Sequence, residues 1–222
     1  MIYFDDTVVP LREAGEQYGL NLYAHFYNTR LDQDGRTEAV VNAKRLDSMQ
    51  RQAMVLDIQR GKPDHILPQP LQTDTCLGRW KYDRDIFEKH QYQSAATIIR
   101  LLADVVSRNG NLMLSVPLQR DGQPDSDEIQ IVQQIGAWSK INGEAIYATR
   151  PWKIYGESPS TTWHEPAGHH QDAIKAVAAS PFTAEDIRFT QSKDGKTLYA
   201  IVLAIPPEGK ITIKSLAADS QD

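Results

Sequence analysis

The stretch Ser94-Ala95-Ala96-Thr97-Ile98-Ile99-Arg100-Leu101-Leu102-Ala103-Asp104-Val105-Val106-Ser107-Arg108-Asn109-Gly110, followed by Asn111-Leu112-Met113-Leu114-Ser115-Val116, decides the fold class. Ala95, Ile98, Ile99, Leu102, Val105 and Val106 recur at helical spacing, so Ser94 to about Arg108 reads as an amphipathic helix with Asn109-Gly110 as its stop. Asn111 to Val116 is then a short buried strand. Downstream, Asp121-Gly122 marks a turn, Asp125 to Asp127 offer N-cap side chains, and Ile131, Ile135 and Trp138 repeat along a second helix that ends near Asn142-Gly143. The order helix, strand, loop, helix is that of the last units of a (β/α)8 barrel.

Upstream, short apolar runs alternate with polar, helix-compatible stretches. Ile2 to Phe4, Leu20 to His25, Ala39 to Val41 and Met54 to Ile58 read as strands, with Leu11 to Tyr18 as a short helix between the first two. Strands separated by helices point to βαβ units and a parallel sheet. Gly61 to Trp80 contains Pro63, Pro68 and Pro70 and reads as a long loop of the kind that carries function. Past Gly156 the character changes. Ser158 to Pro166 reads as a linker, and Ile187 to Thr190, Thr197 to Ile205 and Lys210 to Leu216 read as antiparallel strands separated by turns at Lys193-Asp194-Gly195 and Pro206-Pro207-Glu208-Gly209. The expected division is a partial (β/α)8-like barrel over 1–156, a linker over 157–180 and the beginning of an antiparallel β-sandwich domain over 181–222. Met1-Ile2-Tyr3-Phe4-Asp5-Asp6 opens in mid-strand, so Met1 reads as an internal methionine of a longer chain.

The 24 basic and 29 acidic residues of the 222 form no block of like charge, which leaves no argument for nucleic acid or an anionic membrane as partner. No run approaches the roughly 18 apolar residues of a membrane span. A single cysteine, Cys76, excludes an intrachain disulfide and any Cys-rich zinc site, and does not set the compartment.

Several residue groups carry possible chemistry. Asp5 and Asp6 follow a strand, and catalytic groups collect at the C-terminal strand ends of a barrel. Neighbours on a strand face opposite ways, so at most one of the two is a nucleophile; a strand-end Asp that caps the next turn is the alternative. Arg60 follows Asp57-Ile58-Gln59 and is suited to hold a sugar hydroxyl or steady a carboxylate, or to form a structural ion pair with Asp57 or Asp64. Gln72-Thr73-Asp74-Thr75-Cys76, with Trp80 and Tyr82, mixes amide, hydroxyl, carboxylate and aromatic groups as a carbohydrate site or a packed Ω-loop would. His164, His169 and His170 lie in the linker without metal-ligand spacing, so no metal is assigned; GxGxxG, P-loop and GxSxG motifs are absent.

Asn109-Gly110-Asn111-Leu112-Met113-Leu114-Ser115-Val116-Pro117, then Asp121-Gly122, Ile135-Gly136-Ala137-Trp138 and Asn142-Gly143-Glu144-Ala145-Ile146-Tyr147, closely resemble glycoside hydrolase family 29 α-L-fucosidases. Thr149-Arg150-Pro151-Trp152, Gly156-Glu157, Gln72-Thr73-Asp74-Thr75 with Trp80 and Tyr82, and Tyr3-Phe4-Asp5 extend the likeness, and Leu198-Tyr199-Ala200-Ile201 is similar to the start of that family's C-terminal β-domain. The resemblance implies an exo-acting glycosidase that removes terminal α-L-fucose from fucosylated glycans with retention, without metal or cofactor, exported to the periplasm or secreted. Two carboxyl groups about 5 to 5.5 Å apart would act as nucleophile and acid/base. The family's nucleophile falls on Asp5, with Asp6 if the register slips by one, the preceding aromatic on Tyr3, and the sugar-binding arginine on Arg60. Gln72 and Trp80 join them at the substrate.

The acid/base departs from the pattern. Many relatives carry a Trp-Glu pair where this chain has Leu71-Gln72, and a closer subgroup has Glu directly before the arginine, where this chain has Gln59. An amide cannot donate a proton as a carboxylic acid does. Asp64 and Asp74 are the stand-ins on the same loop. The family's paired histidines on earlier barrel strands are also missing, so the 222-residue piece alone is expected to be poorly soluble or inactive.

Overall fold

The computed structural model describes residues 1–5, 16–158 and 182–217. Five strands, β1 (Ile2–Phe4), β2 (Val41–Ala43), β3 (Val55–Gln59), β4 (Leu71–Cys76) and β5 (Gly110–Ser115), form one parallel sheet in sequential order. Next-neighbour order with every pairing parallel needs each connection to cross back in the same sense, which is the winding of a barrel and not of a doubly wound sheet. The curled sheet and the second, three-stranded sheet fit a partial barrel followed by a β-domain.

Helices α1 (Glu16–Asn28), α2 (Arg84–Glu88), α3 (Ala95–Val106) and α4 (Ser126–Asn142) accompany the strands. On the outer face, Val41, Ala43, Leu46, Met54 and Tyr23 form a buried cluster, and the Phe4 ring meets Tyr23 of α1 edge-on at 5.2 Å. Since Phe4 points out to the helix, its neighbours Tyr3 and Asp5 point to the other face. Ser94 caps α3 by accepting from Thr97 N–H at 3.2 Å. Asn109 takes the left-handed conformation (φ 74°) that stops this helix, and Gly110 lets β5 start against it, because a Cβ there would stand 2.6 Å from Val105 Cγ1. Asp125 and Glu128 form a reciprocal capping box at the start of α4.

Several expectations change. Leu20 to His25 is not a strand but the middle of α1: the inward residues are Gly19, Tyr23 and the partly buried Phe26 and Tyr27, at spacings of three and four, while Leu20 and Leu22 are exposed. The loop expected over Gly61 to Trp80 contains β4, buried along its whole length and paired on both sides. Pro63, Pro68 and Pro70 all precede it, where a missing N–H breaks no ladder bond. Lys210 to Leu216 is not a strand; it ends in a 3-10 turn, with Lys214 and Ser215 N–H donating to the Glu157 carboxylate at 3.0 and 2.7 Å. The expected strand at Ala39 to Val41 lies two residues later, as β2. The expected helix Leu11 to Tyr18 contributes only residues 16–18 to α1, the rest falling outside the described residues.

The second sheet comprises β6 (Thr149–Glu157), β7 (Ile187–Ser192) and β8 (Leu198–Val202), all antiparallel. β6 therefore places the start of this sheet at Thr149, upstream of the 181 expected for a β-domain. A bulge lies between Pro151 and Gly156, where β6 runs so close to β7 that a Cβ on Gly156 would stand 2.2 Å from Ile187 O. Of the linker expected over 157–180, Glu157 is the last residue of β6 and Ser158 is described; the rest, with its three histidines, lies outside the described residues.

Candidate active site

Tyr3 and Asp5 at the end of β1, Lys44 just past β2, Asp57 and Gln59 on β3, and Gln72 and Asp74 on β4 converge on one face of the parallel sheet. Alternation selects them, because residues two apart on a strand share a face, and register stacks Asp57 beside Gln72 and Gln59 beside Asp74.

Lys44 organises the group. Its three ammonium donors meet three acceptors: Asp5 Oδ1 at 2.5 Å, Gln59 Oε1 at 3.0 Å and Asp74 Oδ2 at 3.0 Å, with Asp57 Oδ2 at 3.7 Å. Tyr3 Oη stands 3.1 Å from Asp5 Oδ1, 3.1 Å from Asp57 Oδ2 and 3.2 Å from Asp74 Oδ2. A phenol has one proton to donate, and since Lys44 already serves Asp5 and Asp74, Asp57 is the acceptor in greatest need of it. The other Asp57 oxygen accepts from Gln72 Nε2 at 2.9 Å. Asp74 Oδ1 is buried and has no hydrogen-bond partner.

The environment separates the carboxyl groups. The hydrogen bond and charge of Lys44 hold Asp5 below the usual carboxylate range, against a smaller desolvation effect, and its side chain is 77% exposed. Burial pushes Asp57 up to about 6, with the Asp74 charge adding to it and Gln72 and Lys44 opposing. Burial works against the Lys44 ammonium, but the bonds to Asp5 and Asp74 outweigh it and leave its pKa raised. Burial and the three surrounding carboxylates raise the Tyr3 phenol, which stays protonated.

Arg60 borders the group. It has a left-handed backbone (φ 52°), its N–H donates to Asp74 O at 2.8 Å, its guanidinium donates to Cys76 Sγ at 2.9 Å, and Cζ lies 5.0 Å from the Trp80 ring centroid. Of the residues singled out in the sequence, Tyr3, Asp5, Gln59, Gln72 and Asp74 share one hydrogen-bonded group, while Arg60 joins it through the Asp74 backbone and Trp80 lies against Arg60. Asp64 does not join them: its side chain is 94% exposed and pairs with His65, which lowers its pKa. Asp6 lies outside the described residues. Lys44 is the central residue that sequence reasoning missed; the available signal was its parity with Asn42 at the end of a strand that was placed two residues early.

Carboxylates, an arginine and aromatic rings gathered along one face of a barrel-type parallel sheet fit the class of partial-barrel proteins whose lining suits a polar ligand such as a carbohydrate. Residues 1–144 match the family model described as alpha-L-fucosidase, and the chain belongs to that family. It is 26% identical to plasma alpha-L-fucosidase of Rattus norvegicus over 68% of this chain, and 29% identical to tissue alpha-L-fucosidase of Bos taurus over 58%. The matches cover 28% and 31% of those relatives, so the chain spans only part of their length. Among solved structures, a Thermotoga maritima alpha-fucosidase in complex with a mechanism-based inhibitor is similar with TM-score 0.62 and 23% identity, covering 91% of this chain and 38% of that one. A Bacteroides thetaiotaomicron alpha-L-fucosidase, trapped as a covalent intermediate with a glutamate-to-glutamine mutant, gives TM-score 0.62 at 17% identity, covering 93% and 43%. These two share the fold.

Proposed function

We propose that this chain forms the nucleophile-bearing part of an exo-acting α-L-fucosidase that hydrolyses terminal α-L-fucosides of glycans with retention. Asp5 attacks the anomeric carbon as the aglycone oxygen leaves with a proton, and water then releases fucose from the ester. The observation that carries the reading is the state of Asp5: a strand-end carboxylate, exposed and kept ionised by the hydrogen bond and charge of Lys44. Arg60, Gln72 and Trp80 take the sugar, the arginine through its fork of donors and the indole through its face.

Asp74 is the best-placed second carboxyl. It touches the same hydroxyl and ammonium as Asp5, and one of its oxygens is unoccupied, whereas both Asp57 oxygens are engaged and Asp64 lies apart. A non-catalytic fucose-binding relative is the second reading, favoured by the amides at Gln59 and Gln72, both already committed to hydrogen bonds within the group. The proposed division is a barrel portion up to about 148 and a β-domain from Thr149, with the remaining barrel strands supplied outside this chain. Among the described residues no helix is long and apolar enough to cross a membrane; export is proposed from the family alone.

An aryl α-L-fucoside needs little acid assistance and a fucosylated glycan needs much. Cleavage of both supports a working acid/base and predicts that Asp74→Asn selectively slows the glycan. Cleavage of the aryl substrate alone identifies Gln59 and Gln72 as the cause, and Gln59→Glu should then restore the glycan reaction. Fucose binding without cleavage of either overturns the hydrolase reading in favour of the binding one.

A further inference from the structure

The loop that carries Arg60 is tied to the second sheet by charge. Arg60 N–H is fixed on Asp74 O, and Thr73 Oγ1 donates to Gly61 O at 2.8 Å. The next residue, Lys62, extends away from the site to Asp104 of α3, which is 1% exposed. Asp104 also pairs with Arg108, one helical turn on, and with Arg188 of β7. Arg188 in turn donates to Glu157 O at 3.2 Å, and the Tyr155 ring of β6 lies 3.8 Å from Arg108 Cζ and 5.7 Å from Arg188 Cζ. A continuous chain thus runs from the second sheet through one helix carboxylate to the residue two places after Arg60.

Three basic side chains on one buried carboxylate are a poor way to join two layers, since the desolvation of each charge offsets much of its attraction, and apolar side chains of similar size would hold them as well. Directional ion pairs do something that apolar packing does not: they fix where each partner stands. Arg60 needs such fixing, because a non-glycine residue at φ 52° stays there only when its neighbours hold it.

We propose that Arg188 and Asp104 are positioning residues for Arg60, so that the second sheet sets the sugar-binding loop through the path Arg188, Asp104, Lys62. The link to sugar binding rests on the fucosidase reading; the mechanical link does not. The test therefore has two readouts on the full chain, with Asp104→Asn, Arg188→Met, Arg188→Lys, Lys62→Met and the double variant Lys62→Met/Arg188→Met.

The first readout is amide hydrogen exchange, which needs no substrate. Exchange at Arg60 N–H should rise about tenfold in Asp104→Asn, Arg188→Met and Lys62→Met, with amides of β4 and β5 within about twofold of the parent. Arg188→Lys should fall between, and the double variant should add nothing to Lys62→Met, because both changes cut the same path. No rise at Arg60, an even rise across β3, β4 and β5, or additive effects would overturn the proposal. If Arg188→Met does not fold, Arg188→Lys and Lys62→Met carry the same test. The second readout is steady-state kinetics on an aryl α-L-fucoside, where KM should rise about tenfold with kcat within about twofold; a loss confined to kcat would overturn the positioning role. A local rise in exchange with neither turnover nor fucose binding in any form would leave the path supported and sink the fucosidase reading.

Discussion

Two charged groups in this molecule are mirror images. Around Lys44, one ammonium faces the carboxylates of Asp5, Asp57 and Asp74; around Asp104, one carboxylate faces Lys62, Arg108 and Arg188. Both are largely shielded from water, and in both the minority charge is the hub. The difference lies in access. The acidic group opens to solvent at Asp5, and under the proposed fucosidase reading its excess negative charge would face the positive charge that develops at the anomeric carbon. The basic group is closed, with Asp104, Arg108 and Arg188 each under 5% exposed, and its excess charge can only relax internally. Burial, with the Arg108 and Arg188 charges adding to it, pushes the Lys62 ammonium down to about 6, Asp186 pulling the other way. A lysine gives up its proton more readily than a guanidinium, so it is the member that yields.

The sharpest test of the contrast is Asp5→Asn. If the acidic group is chemical, this change should lower aryl-fucoside turnover by about 10⁴-fold while leaving urea stability within about 1 kcal/mol, because it relieves crowding among three carboxylates. An undiminished rate would transfer the role to Asp6. Next in size, Asp104→Ala should destabilise the fold by roughly 3–5 kcal/mol in urea unfolding, since it strands buried cations without their carboxylate. A loss below about 1 kcal/mol would show that the basic group is not held by its hub.

Lys44→Met sharpens the comparison through pH. Without the ammonium, Asp5 loses the interaction that lowers its pKa, so the acid limb of the rate profile should move to higher pH, costing activity at low pH and little near neutrality. An unmoved limb would mean that Lys44 does not set the charge of Asp5. The smallest effect is on stability against pH. Asp57 is raised to about 6, so between about 4 and 6 the folded state binds more protons than the unfolded one, and stability falls as pH rises across that window. Lys62 is lowered to about 6, so between about 6 and 10 the unfolded state binds more protons, and stability rises with pH. A trough near pH 6 should appear in thermal melts. Asp57→Asn should remove its acid side and Lys62→Met its alkaline side; a flat profile in the parent chain would contradict both environments.

The local elements were legible because their determinants are neighbours in sequence. α3 and α4 follow from apolar spacing bounded by Ser94, Asn109 and Asp125, and Asp5 follows from a strand end. β4 was hidden because Gln72, Thr73, Asp74 and Thr75 do not look like a buried strand; they are inside because one face lines the site and the other is covered by packed structure. Leu20 to His25 was misread because its leucines are on the solvent side of α1, so the run of apolar residues is not the buried face. Of the site, the aspartate, the arginine, both amides and the tryptophan could be named from sequence, whereas Lys44 and the engagement of Asp57 by Tyr3 and Gln72 could not.

By itself the sequence determined the family, the barrel-type order of helices and strands, and the amides where a proton donor is expected. Those depend on residue identity and on spacing within one element. The tertiary structure alone decided which charges meet: Lys44 bridges three strands, and Asp104 pairs with Arg188, 84 positions away. Charge partners at that separation are set by sheet register and helix packing, and no local pattern encodes them.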